Sequence, residues 1–216
     1  MPKVNLFADS LRVAHTGKPT DIDRKYIERK SSYILKAELF SPGYNSNKIM
    51  EGAISFLDFD RGGVDFSSSF GLEDIHLFTC SFGNRVELKA HVYYVEYEDF
   101  LAAVLRSVAE RLAGKFVEYV KKLDFHKIAT IPAEILPVFI DVIKKGVERK
   151  AGMYEIGSGK RTSLELGVQE VELAVAAAVK RNLVFWRPDR DDYGREEVVL
   201  VPRGPNGAVK LLVEPV

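Results

Sequence analysis

The apolar residues of this chain change their spacing once, near Tyr97, and that change constrains the fold more than any other feature. Before it, every second residue is apolar: Tyr33, Leu35, Ala37 and Leu39 in one run, Val86, Leu88, Ala90 and Val92 in another. Period two is the mark of a strand with one buried face, so Lys36, Glu38, Glu87 and Lys89 are expected to look outward. Ile49 to Asp60 and Ile75 to Phe82 read as further strands, separated by the turn-forming Arg61-Gly62-Gly63 and Phe82-Gly83-Asn84. A mainly antiparallel sheet of about four to six strands is expected, with a short helix over Asp21 to Lys30 behind a Thr20 cap.

After Tyr97 the period becomes helical. Leu101, Val104, Val108, Leu112, Phe116, Val120 and Leu123 recur at intervals of three or four, which lays one apolar stripe along a first long helix. A second is expected from about Ala133 to Lys150, burying Leu136, Phe139, Ile140, Ile143 and Val147 and stopping at Gly152. The third opens on Thr162-Ser163-Leu164-Glu165, read as a capping box, and runs to about Arg181 with Leu164, Val168, Val171, Val175 and Ala178 as its stripe. Leu183 to Arg187 and Val198 to Pro202 form a closing hairpin, followed by a strand over Val209 to Val213. The expected fold class is therefore α+β in a single domain spanning residues 1–216: a β-rich half over 1–97, then three long helices and a C-terminal hairpin plus one strand over 98–216.

Charge and cysteine content narrow the functional classes. The chain has 31 basic and 31 acidic residues, so no global field draws it to nucleic acid or to an anionic membrane. Its one cysteine, Cys80, rules out an intramolecular disulfide and any cysteine-rich zinc arrangement. The start of the chain lacks a long apolar segment and no run is long enough for a spanning helix, so a cytoplasmic protein with no membrane partner is expected. Gln169 is the only glutamine, a depletion that resembles hyperthermophile composition and suggests a thermophilic source.

Two constellations carry candidate chemistry. The first is basic: Lys144, Lys145, Arg149, Lys150, Lys160 and Arg161 outnumber Glu148 and Glu155 and could hold a polyanion. Three helices followed by a hairpin is also the order of a winged helix, which makes a nucleic-acid partner an alternative. Against it stand Glu165, Glu170 and Glu172 on the expected reading helix and the acids around the closing hairpin. The stretch Gly157-Ser158-Gly159-Lys160-Arg161-Thr162 lacks the glycine and hydroxyl positions of a Walker A loop, and reads as a flexible linker ahead of the capping box.

The second constellation is acidic, with Glu51, Asp58, Asp60, Asp65, Glu73 and Asp74 opposed only by Arg61 over residues 51–76. An aspartate beside a Glu-x-Lys strand is the site pattern of a family of metal-dependent nucleases; here Asp58 or Asp60 with Glu87 would bind metal and Lys89 would position water. Alternation of apolar and charged residues on a half-exposed strand produces Glu-x-Lys equally well. His15, His76, His91 and His126 show no zinc spacing, so no metal or cofactor is expected, and Cys80 reads as a small buried hydrophobe. The adjacent Tyr93 and Tyr94 must point to opposite faces, so at least one leaves the main core; core packing with an ordinary exposed tyrosine is expected ahead of burial against a partner. The sequence therefore favours a non-catalytic binding or assembly protein, homo-oligomeric, over a nucleic-acid binder or a nuclease.

Overall fold

The computed structural model describes residues 3–14, 32–42, 47–57, 63–81, 85–95, 128–131, 135–148, 153–175, 184–188, 195–199 and 205–216. Its strands are β1 (Lys3–Val13), β2 (Ser32–Phe40), β3 (Lys48–Leu57), β4 (Gly63–Asp65), β5 (His76–Ser81), β6 (Glu87–Val95), β7 (Ile128–Thr130), β8 (Met153–Gly159), β9 (Thr162–Ser163), β10 (Gly167–Val175), β11 (Val184–Pro188), β12 (Arg195–Val199) and β13 (Gly207–Pro215). The described helices are α1 (Phe66–Ser69), α2 (Leu72–Ile75) and the 13-residue α3 (Leu136–Glu148).

The architecture is predominantly antiparallel β, which overturns the α+β expectation of three long helices. Eleven strands form one sheet in the order β4-β1-β13-β10-β8-β6-β2-β3-β7, with β5 also pairing β1 and β9 pairing β6. Strands from both sides of Tyr97 interleave: β8, β10 and β13 lie between β1 and β6, so the division into a β-rich half and a helical half does not hold. Of the three expected helices, the first lies outside the described residues, as does the short one over Asp21 to Lys30. The middle span contains α3, and the third is not a helix.

Where that third helix was expected, β9 pairs with Glu87 and Leu88, and β10 lies between β8 and β13. The physical reason is local. Val171 and Leu173 are buried while Val168, Glu170, Glu172 and Ala174 are exposed, a period of two that Val171, Leu173 and Val175 keep and that the three-and-four spacing of Val168, Val171 and Val175 hides. β-branched side chains favour the strand, and Gly167 at φ +92° interrupts any helix there. The supposed capping residues make other bonds: Gln169 donates to Thr162 Oγ1 (3.1 Å) and to the Ser163 carbonyl (2.6 Å), and accepts from the Glu165 amide (3.3 Å).

The same correction applies to the glycine-rich stretch. Gly157 and Gly159 belong to β8, and a Cβ at Gly159 would overlap the Val171 side chain. These glycines admit β10 close to β8; they are neither a flexible linker nor a phosphate cradle.

The sheet curls into a half-barrel that brings β3 back against β5. Gly52 permits this approach, because a Cβ there would collide with the Leu77 carbonyl. On the β7 side, the Thr130 hydroxyl lies 3.0 Å from the Asp74 carbonyl and 3.1 Å from that of His76, tying the edge strand to α2 and β5. The concave face holds the core: Leu6, Leu11, Tyr33, Leu35, Leu39, Ile54, Leu88, Val92, Leu173 and Leu211 are all fully or almost fully buried. Tyr33 stacks on Phe56 at 5.6 Å and Phe56 meets Phe66 edge-on at 5.0 Å, contacts that add about 0.5–1.5 kcal/mol each beyond area burial.

Candidate functional site

The alternate residues of β2, β3, β6 and β8 lie on the sheet's other face, where a charged side chain is expected to reach water. On β2 these are Ile34, Lys36, Glu38 and Phe40, and all four are buried, Lys36 at 2% exposure and Glu38 at 8%. The outward orientation expected of Lys36 and Glu38 is right for the core face and wrong for solvent. A buried charge is tolerable only when paired, and the register supplies the pairs. Lys36 lies opposite Ala53 on one side and His91 on the other, Glu38 lies opposite Glu51 and Lys89, and Tyr93 lies opposite Glu155.

The side chains join in a continuous row across four strands. Glu155 Oε1 meets His91 Nδ1 at 2.6 Å, and His91 Nε2 meets Glu38 Oε2 at 3.1 Å. The other Glu38 oxygen accepts from Lys36, whose ammonium also lies 3.3 Å from Glu51. Lys48 donates to the same Glu51 oxygen at 2.7 Å and closes the row. From β8 through β6 and β2 to β3 the order is acid, histidine, acid, lysine, acid, lysine. Tyr93 stacks on His91 with ring centroids 6.1 Å apart.

The electrostatics follow from that order. Burial disfavours the Glu38 carboxylate, yet its bonds from His91 and Lys36 prevail and hold its pKa down at about 2. Burial likewise disfavours the His91 cation, and Lys89 adds to this; the bonds of Glu155 and Glu38 and the charge of Glu155 outweigh both and raise His91 above the ordinary histidine value. Tyr93, buried beside Glu155, Glu38 and Glu51, is pushed far up and stays a neutral phenol.

The residues singled out in the sequence meet this face only in part. Glu87 and Lys89 share it, as the period requires, but Asp58 and Asp60 lie outside the described residues. Glu87 has Arg161 at 3.9 Å, and the Arg161 guanidinium sits 3.8 Å above the Phe40 ring. The structure thus brings one member of the basic set to one member of the nuclease set. Lys160 is exposed, Lys144 is exposed on α3, Lys145 has only its backbone described, and Arg149 and Lys150 lie outside the described residues.

The acidic set is dispersed. Glu51 belongs to the charged row, Asp65 caps α1 by accepting from the Ser68 amide at 3.1 Å, and Glu73 and Asp74 form the first turn of α2. Among the described residues no group of three or more His, Cys, Asp or Glu side chains is placed to hold a metal ion.

His76 packs on Phe7 with centroids 5.3 Å apart, and burial lowers its pKa despite a bond with the Phe78 backbone. Cys80 is buried and burial raises its thiol pKa, the opposite of what activates a nucleophile. His15 and His126 lie outside the described residues. No described helix is long and apolar enough to cross a membrane. Comparisons with protein-family models, with curated proteins and with solved structures found no match.

Sequence reasoning missed the row because Glu51 and Glu155 are far apart along the chain and the pairing that unites them runs through β6. One signal was available. The charged pair Lys36 and Glu38 is flanked at period two by Ile34 and Phe40, so that side of β2 is not a purely solvated face.

Proposed function

We propose that this is a non-catalytic binding and assembly protein that pairs with a second copy of itself through the outer face of β10 and β13. The observation that carries this reading is the apolar residue exposed on that face: Val168, at 61% exposure, sits directly opposite Leu212, with Leu166 at 60% just beyond the strand. Leu212 is half-buried, so the exposed apolar surface is that of Val168 and Leu166, and its burial against a partner is the gain that association offers.

The next row supports a second copy as the occupant. Glu170 of β10 lies opposite Lys210 of β13, so the face is acidic on one strand and basic on its neighbour. A twofold axis running between these strands and parallel to them lays β10 of one copy over β13 of the other. Val168 then meets the partner's Leu212, and Glu170 meets the partner's Lys210, the self-complementarity that an isologous dimer requires. The charged row on β2, β3, β6 and β8 is consistent with a non-catalytic role, since its histidine has a carboxylate on both ring nitrogens and no nitrogen left as a base.

Light scattering over a wide concentration range tests the reading. The wild-type chain is expected to be a dimer, Glu170→Lys a monomer, and the Glu170→Lys/Lys210→Glu exchange a dimer again. A wild-type monomer at the highest concentration, or a dimer indifferent to both changes, would sink it.

A further inference from the structure

The row of charges has one histidine, the side chain whose ordinary pKa lies nearest neutrality, and it stands between two carboxylates. A neutral imidazole has one N–H and one lone pair, so it can donate to Glu155 or to Glu38 but turns a lone pair on the other. The imidazolium donates to both. With His91 charged, three acids and three cations alternate along the row; without its proton, Glu38 and Glu155 flank a neutral ring and the row carries a net negative charge.

We propose that His91 is a proton-linked latch, which when charged ties β6 to β2 and β8 and when neutral lets the Glu155 end of the row go. Glu155 is the end released because its side chain is 31% exposed, against 11% for Glu38, and because Lys36 still holds Glu38 after the proton leaves. Water can take over the Glu155 bond where it cannot take over the buried one.

The described groups around the ring all enter this balance. β2 contributes Lys36 and Glu38, β3 contributes Glu51 and Lys48, β6 contributes Lys89 and Tyr93, and β8 contributes Glu155. α3 packs on β8 and keeps Asp141 and Lys144 in solvent. Burial and Lys89 favour the neutral ring, Glu155 and Glu38 favour the cation, and the outcome is a raised pKa. For a histidine raised on folding, the stabilisation is complete below the unfolded value near about 6.5 and is lost as pH climbs through the folded one. The latch does not depend on self-association, since it is built from groups within one chain.

Urea unfolding of the full chain between about pH 6 and 9, followed by circular dichroism, tests it. The wild-type midpoint is expected to fall as pH rises through the His91 pKa. His91→Gln should start lower and lack that fall, and Glu155→Gln should move the fall to lower pH. A flat wild-type profile, or an unchanged fall in His91→Gln, would overturn the proposal. Should His91→Gln not fold, the Glu155→Gln profile decides, and a fall left at the wild-type pH counts against the latch.

Discussion

Lys36 is the residue on which the charged row most depends, and removing its charge gives the sharpest energetic prediction. At 2% exposure its ammonium has no access to bulk water, and it joins Glu38 to Glu51. Lys36→Met keeps the aliphatic stem and deletes the cation. Breaking a buried ion pair by removing one partner costs about 3–5 kcal/mol, because the remaining charge stays buried. Here Glu38 keeps His91 and Glu51 keeps Lys48, so the lower end, about 3 kcal/mol, is expected.

For a chain of this size, that corresponds to a fall in melting temperature of about 6–12 °C. The companion change Lys36→Met/Glu38→Leu removes an acid with the cation and should recover much of the loss, since replacing a pair together leaves no orphaned charge. Urea unfolding of the wild type, the two single variants and the double variant at neutral pH measures both numbers. A cost below about 1 kcal/mol for Lys36→Met, or a double variant as unstable as the sum of its singles, would refute the reasoning.

Two further outcomes follow from named contacts. Gly52→Ala places a Cβ against the Leu77 carbonyl and should destabilise by about 1–3 kcal/mol in thermal unfolding, whereas Gly63→Ala, whose nearest atoms stand at 3.5 Å, should change little. Glu38 is depressed on folding to about 2, so the stabilisation it gives is present above its unfolded value of 4.5 and is lost as pH falls through about 2. An acid titration of the melting temperature should therefore drop between those limits in the wild type and drop less in Glu38→Gln.

The strands were the part of the fold most legible in the sequence, and the reasons lie in particular residues. β2 and β6 could be read because Tyr33 to Leu39 and Val86 to Val92 alternate without interruption. β1 went unread although Val4, Leu6 and Ala8 alternate just as well, because the bulge between Ala8 and Ser10 shifts the phase before Leu11 and Val13. Over β10 the three-and-four spacing of Val168, Val171 and Val175 points to a helix, whereas Val171, Leu173 and Val175 keep period two. The β-branched content and Gly167 favour the strand, and the residues of the capping-box pattern Thr162 to Glu165 bond elsewhere.

The charged row was legible only as a puzzle: charges on β2 between Ile34 and Phe40. Its members Lys36, Glu51, His91 and Glu155 come from four strands, and only the pairing of β8 with β6 and of β6 with β2 makes them neighbours. Period two tells which face a residue takes. It does not tell what covers that face.

His91 bonds a carboxylate through each ring nitrogen, an arrangement that favours its imidazolium. Nitrogen NMR of the histidine rings at neutral pH, in protein labelled at histidine, tests it most directly. Both ring nitrogens of His91 are expected to resonate as protonated N–H groups at a pH where an ordinary histidine is mostly neutral. A bare ring nitrogen on His91 under the same conditions would contradict it.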